Sequence, residues 1–204
     1  RKLLLKYFDD RTIEAVLLRD DERITGCVSS QVGCKFGCSF CATGSMGFIR
    51  HLTAGEIVAE IIALRRAAEP ERLANLVFMG MGEPLDNYDN VMRAIRIANA
   101  KWGLGIGARR ITISTAGHVP GIRKLAEEGL QFELAVSLNA PTQELRSTIM
   151  PIADAFSLTQ LTKAIEHYSE RTGRRATLEY VLLEGINDSD EMATQLAAIA
   201  RHLL

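Results

Sequence analysis

Apolar and polar residues divide the chain into a short β-rich opening, a cysteine-bearing loop and a long alternation of strands and helices. Residues 12–18 and 24–30 are apolar and β-rich, and Arg19-Asp20-Asp21-Glu22 between them is a polar turn. This predicts a β-hairpin whose second arm leads into a Gly- and Cys-rich loop over 33–47. Thr53, followed three residues on by Glu56, forms a capping box that predicts a helix to about residue 68. Strands are then expected over 73–79, 111–115, 132–138 and 177–183, and helices over 90–100, 120–128, 158–171 and 189–204. The strand segments are continuous apolar runs, as expected of strands buried on both faces of a parallel sheet. Repeated β-α units imply right-handed crossovers, in an open doubly wound sheet or a β/α barrel.

In either architecture ligands gather at the carboxyl ends of the strands. Small, polar and acidic residues recur there: Gly80-Met81-Gly82-Glu83-Pro84, Ser114-Thr115-Ala116-Gly117, Ser137-Leu138-Asn139 and Glu184-Gly185. Composition narrows the function classes. The 204 residues carry 24 Lys+Arg against 25 Asp+Glu, a net charge of -1, so bulk charge does not grip nucleic acid and any basic surface is local. Arg65-Arg66, Arg109-Arg110 and Arg171 with Arg174-Arg175 are such local pairs; each could bind phosphate, but such pairs are more often solvated helix or loop faces. No apolar run reaches the ~18 residues of a membrane helix, so no membrane span is expected. The chain opens on Arg1 and its last residues still have helical character, so it is expected to be the middle of a longer protein.

The four cysteines all lie between Cys27 and Cys41, a clustering that points to a metal site in a reducing, cytoplasmic setting rather than a disulfide scaffold. Cys34-x3-Cys38-x2-Cys41 lets three thiolates close around one soft metal centre. Three ligands suit a cubane iron-sulfur cluster with one iron left open for substrate. A zinc ion is the alternative, with Cys27 or His51 as fourth ligand.

CxxxCxxC with Phe40 before the last cysteine resembles the signature of the radical S-adenosylmethionine superfamily. The wider strings Cys27-Val28-Ser29-Ser30-Gln31-Val32-Gly33-Cys34 and Cys38-Ser39-Phe40-Cys41-Ala42-Thr43-Gly44 are similar to the dual-specificity methyltransferases of adenosine C2 in 23S rRNA and tRNA. Gly80 to Pro84, Ser137-Leu138 with Ala140-Pro141, and Glu179-Tyr180-Val181 fit the same family. Relatives that methylate C8 and confer antibiotic resistance share most of these motifs.

The resemblance implies an α/β fold, a partial (β/α) barrel of the radical-SAM type truncated at about five barrel strands. Residues 1–26 would form an N-terminal β-hairpin extension and 27–204 the core, incomplete at its C-terminus. It implies a [4Fe-4S] cluster on Cys34, Cys38 and Cys41, whose open iron chelates S-adenosylmethionine. One electron then breaks the C–S bond to give a 5'-deoxyadenosyl radical. Gly82, Glu83, Ser114, Ser137, Leu138 and Asn139 become cofactor contacts, with Glu83 suited to the methionine ammonium and the glycines to close backbone approach. Asn139 departs from the family, where His is more frequent, which weakens any acid-base role there. Cys27 becomes a catalytic thiol that deprotonates the methylated adenosine and then forms a transient disulfide with a methyl-carrying cysteine. Glu14 becomes a proton acceptor, on spacing alone. No cysteine follows Cys41, so the methyl carrier has no counterpart here. The implied partners are 23S rRNA, tRNA and an electron-donor protein such as a flavodoxin, acting on a cytoplasmic monomer. The competing expectations are a C8-specific methyltransferase and a non-catalytic, zinc-stabilised RNA-binding module.

Overall fold

The computed structural model describes residues 1–20 and 23–203. Asp21 and Glu22 of the expected turn, and Leu204 at the end of the expected last helix, lie outside the described residues. The chain opens with β1 (Lys2–Lys6), β2 (Thr12–Asp20) and β3 (Arg23–Cys27), joined antiparallel in sequence order. Next come β4 (Gln31–Gly33), α1 (Ala42–Ser45) and β5 (Phe48–His51); β4 and β5 pair as a separate two-stranded ribbon that closes the base of the cysteine loop. The rest alternates: α2 (Ala54–Ala68), β6 (Leu73–Phe78), α3 (Tyr88–Asn99), β7 (Ile111–Thr115), α4 (Val119–Ala126) and β8 (Glu133–Ser137). Then follow α5 (Gln143–Ile149), α6 (Ile152–Ala155), α7 (Leu158–Thr172), β9 (Thr177–Glu179) and α8 (Asp190–Leu203).

The main sheet runs β1-β2-β3-β6-β7-β8-β9, and every pairing from β3 onward is parallel. Five parallel strands, β3 and β6 to β9, thus form the partial barrel expected, with the antiparallel strands attached at one edge. All five carboxyl ends point to the same rim.

Local sequence explains the outer layer. Thr53 and Glu56 cap α2 reciprocally, and the apolar stripe of α2 (Ile57, Ile61, Leu64) is fully buried against β2, β3 and β6. In β2 the alternation places Ile13, Ala15 and Leu17 under that helix and leaves Glu14 and Val16 on the other face. Each fully buried Ile or Leu in this layer is worth roughly 1.5–3 kcal/mol of apolar burial.

Three expectations need correction. The last strand ends at Glu179 rather than continuing to residue 183. Beyond Glu179, side chains take over the backbone groups a ladder would use: the Val181 N–H donates to Asn139 Oδ1 (2.9 Å) and the Leu183 N–H to Asn187 Oδ1 (2.7 Å). The Asn187 amide in turn donates to the Val181 and Asn139 carbonyls, both at 2.8 Å. Secondly, the segment between β8 and α7, for which no element was expected, holds α5 and α6. Thirdly, the loop over 33–47 contains the single-turn α1.

Candidate active site

Short hydrogen bonds tie the turn after β3 to the turn after β6. Ser30 and Gln31 donate their N–H groups to the Met81 carbonyl (2.8 and 3.1 Å), and Gly80 donates to the Val28 carbonyl (3.0 Å). Gln31, fully buried, extends this link through its side chain. Its Oε1 accepts from the Glu83 N–H (2.9 Å), and its Nε2 lies 2.8 Å from Asp86 Oδ2 and 3.0 Å from His51 Nδ1. The glycines are explained by this packing. A Cβ on Gly80 would stand 2.7 Å from the Val28 carbonyl, and one on Gly82, at φ +95°, would stand 2.4 Å from Gln31 Cβ. Both are therefore glycine because protein backbone and the Gln31 side chain fill that side, while Gly82 also borders the cavity described next.

The cysteine loop folds over the same rim. The Cys34 N–H donates to the Gly47 carbonyl (3.0 Å), and the Ser39 N–H donates to the Ile149 carbonyl at the end of α5 (3.0 Å). Cys34, Cys38 and Cys41, each partly buried, line one cavity of about 230 Å³ together with Gly82, Glu83, Ser114, Ser137 and Asn139. Glu179, at the end of β9, is on the same wall. Leu138 is not on this wall; its side chain is fully buried in the main core and only its backbone stays at the rim. A larger hollow of about 340 Å³, lined by Arg65, Glu69 and Arg72 among others, lies where β6 begins and holds none of the expected site residues.

Polar groups at the rim are paired with one another. Glu83 Oε2 accepts from the Ala116 N–H (2.8 Å) and Oε1 from the Leu85 N–H (3.1 Å). Complete burial nevertheless outweighs these donors and raises its pKa from 4.5 to about 7. Ser114 Oγ and Ser137 Oγ both donate to Glu179 Oε2, at 2.8 and 3.2 Å. Glu179 was not among the expected contacts. The signal that marks it is an acidic residue at the carboxyl end of an apolar strand. Asn139 adopts a left-handed conformation (φ 55°), which Asn tolerates, and its amide oxygen is engaged by Val181. Burial pushes the Cys34 and Cys38 thiols up, Cys38 to about 11, so loading with metal would release protons.

Cys27 stands apart from that wall, at the end of β3. The sheet register pairs it with Val16, and the same register sets Glu14 on the same sheet face, one pleat along. Such diagonal neighbours are roughly 7–8 Å apart. Glu14 forms an exposed ion pair with Lys2 Nζ at 2.8 Å, and its backbone carbonyl accepts from Ser29 Oγ at 2.8 Å. Desolvation raises the Cys27 pKa to about 11, against the Met79 N–H, which lowers it; nearby Glu60 adds to the rise. Glu60 itself is buried, with Oε1 accepting from the Ser29 N–H (2.8 Å) and Oε2 without a partner among the described residues. All four cysteines are free thiols, so the disulfide expectation finds no pair within this chain.

A model of the radical SAM superfamily matches residues 28–197. The chain belongs to the radical SAM superfamily. A probable dual-specificity RNA methyltransferase RlmN of Symbiobacterium thermophilum is 49% identical over the whole chain, which spans 55% of that protein. One of Dictyoglomus thermophilum is 48% identical over 99% of the chain and 59% of its own length. The crystal structure of a radical SAM methyltransferase from Sphaerobacter thermophilus matches with a TM-score of 0.98 at 50% identity, covering 100% of this chain and 60% of that one. Streptococcus suis SuiB bound to S-adenosylmethionine shares the fold, with a TM-score of 0.59 at 19% identity over 87% of the chain and 39% of its own. The chain thus spans a little over half the length of the curated relatives it matches.

Superfamily membership implies a [4Fe-4S] cluster and S-adenosylmethionine. The donor set fits the pair: three thiols from one loop face a cavity whose other wall carries a buried carboxylate and two hydroxyls. Among the described residues no three His, Cys, Asp or Glu side chains converge on a single ion, and the fourth cysteine is not on the cavity wall. No helix of the described residues is long and apolar enough to cross a membrane.

Proposed function

We propose that this chain is the catalytic core of an RNA methyltransferase that modifies C2 of adenosine in 23S rRNA and tRNA. The observation that carries the reading is the single cavity shared by the three thiols, Glu83 and the serine-Glu179 group, with Cys27 and Glu14 on one neighbouring sheet face. Cys34, Cys38 and Cys41 would hold the cluster, which with S-adenosylmethionine would supply one-electron cleavage of the sulfonium C–S bond. Glu83 accepts hydrogen bonds from the methionine ammonium, which favours its ionised form. Ser114 and Ser137 spend their protons on Glu179 and so offer lone pairs to donors on the cofactor. The amide of Asn139 completes that wall, whereas the Leu138 carbonyl is taken by Arg146.

Cys27 is the base toward the methylated adenosine. Burial keeps it a neutral thiol at rest, so its proton must leave before it can accept another. Glu14, on the same face, takes that proton. We further propose that residues 1–26 extend a core formed by 27–204, that the protein is a cytoplasmic monomer, and that a flavodoxin-type protein delivers the electron. The identity to dual-specificity RNA methyltransferases favours C2 over C8. The superfamily match over residues 28–197 favours the cluster over a zinc-stabilised module.

The test is anaerobic reconstitution with iron and sulfide, followed by incubation with S-adenosylmethionine and a reductant. Brown, iron-loaded protein that yields 5'-deoxyadenosine supports the reading; loaded protein that yields none overturns it. For the longer protein, mass spectrometry of digested RNA against C2- and C8-methyladenosine standards decides the position.

A further inference from the structure

Arg146, on α5, is a fully buried residue. Its Nε donates to the Leu138 carbonyl (3.1 Å), and its Nη2 donates to the Ala116 carbonyl (2.6 Å) and the Ser137 carbonyl (3.3 Å). It therefore bridges the carboxyl ends of β7 and β8, the two strands that bring Ser114 and Ser137 to the cavity. Gly117 leaves it room, since a Cβ there would stand 2.8 Å from Nη2. Two features exceed what a clamp on carbonyls needs. Its Nη1 is buried without a partner, and no carboxylate forms an ion pair with it among the described residues. Cys38 packs in the apolar cluster with Ile149 and Met150, at the C-terminal end of the helix that carries Arg146, and as a thiolate it would favour the charged guanidinium. Burial lowers its pKa only to about 10, so it stays charged at neutral pH.

A buried cation without a counter-charge is costly, and natural proteins pair it. We propose that Arg146 is a positioning and charge-balancing residue for the iron-sulfur cluster: its buried cation offsets the thiolate-bound cluster and eases the cluster's one-electron reduction. The inference rests on the cluster assignment made above. Three thiolates give an oxidised [4Fe-4S] centre a net negative charge, and an electron from an external one-electron donor adds one more. A fixed positive charge in a low-dielectric setting stabilises the reduced state more than the oxidised one, and so raises the reduction potential. Only the charge of Arg146 is needed for this, whereas the bridge across β7 and β8 needs its planar fork.

The experiment compares the reconstituted wild-type protein with Arg146→Met and Arg146→Lys. Iron and sulfide content is measured first, then the midpoint potential by EPR-monitored titration with redox dyes. The expected result is normal iron loading in both variants. Arg146→Met should lower the potential by at least a tenfold change in the reduction equilibrium, about 59 mV for one electron. Arg146→Lys should recover most of that loss. An unchanged potential in loaded Arg146→Met overturns the proposal, as does a lysine variant that matches the methionine one. Should Arg146→Met fail to load, the lysine variant decides: a wild-type potential supports charge balance, while failure to load in a folded lysine protein overturns it in favour of a purely structural clamp. Wild-type protein that loads no [4Fe-4S] cluster overturns the cluster assignment first, and the proposal with it.

Discussion

Glu83 makes the stability of the metal-free protein fall as pH rises. Its carboxyl has a pKa of 4.5 in a solvated chain and about 7 in the fold, because complete burial outweighs the N–H groups of Ala116 and Leu85. Between those values the folded chain holds a proton that the unfolded chain has lost, so stability declines with pH across the window. Below about 4.5 both states are protonated and above about 7 both are ionised, so the slope vanishes outside it. The gap from 4.5 to about 7, at about 1.4 kcal/mol per pH unit, is on the order of 3 kcal/mol. The assay is urea unfolding of cluster-free protein, kept reduced, at several values between pH 5 and pH 8, for wild type and Glu83→Gln. Gln cannot ionise, so the variant lacks this slope, although its amide faces backbone donors and lowers stability by about 1–3 kcal/mol at every pH. Glu60, whose burial also raises its pKa, is common to both proteins and cancels in the difference. The wild-type advantage should shrink by about 2–3 kcal/mol from pH 5 to pH 8. An advantage that stays constant across this range would falsify the account of Glu83 as a carboxyl held protonated by burial.

Three further outcomes follow from the same geometry. Gly80→Ala forces a Cβ to within 2.7 Å of the Val28 carbonyl, so it should lower stability by about 1–3 kcal/mol, visible as a reduced melting temperature; an unchanged melt contradicts the packing explanation. Cys38→Ala should lose cluster iron and 5'-deoxyadenosine formation together, whereas Cys27→Ala should keep both, because Cys27 lies off the cavity wall; iron loss in the latter contradicts that separation. With reductant and S-adenosylmethionine these 204 residues should form 5'-deoxyadenosine but no methylated RNA, since no cysteine follows Cys41 to carry a methyl group; methyl transfer detected by mass spectrometry refutes this.

The parallel core was legible because both-face burial leaves continuous apolar runs: the strand over 111–115 is β7 to the residue, and the Thr53–Glu56 capping box starts α2 where expected. The thiol loop and the turn at Glu83 were legible as motifs. What was not legible depends on tertiary pairing. The strand at 177–183 was cut short by Asn139, far away in sequence, and by Asn187, just past its end, whose side chains take its backbone groups. Helices α5 and α6 are short and lie around Pro151, so they carry too little periodicity to stand out. Buried charges are the hardest to foresee. Glu60 did leave a trace, because it falls on the buried stripe of α2 between Ile57 and Leu64, but Arg146 sits on a two-turn helix with no stripe to betray it. Glu179 was visible as part of a motif, and only the sheet register revealed that both serines turn toward it.

The Gln31 side chain bears on how quickly such a site can be made ready. One buried amide joins the base of the thiol loop to the N–H of Glu83 and to Asp86, while the Met81 carbonyl holds the same two segments through backbone. The wall at Glu83 and the loop of Cys34, Cys38 and Cys41 are therefore tied together before anything binds. Little conformational entropy remains to be lost on that side when the ligand arrives. Slow amide exchange at Gln31 and Glu83 in the cluster-free protein, against faster exchange in the loop over 180–187, is the pattern such preorganisation leaves.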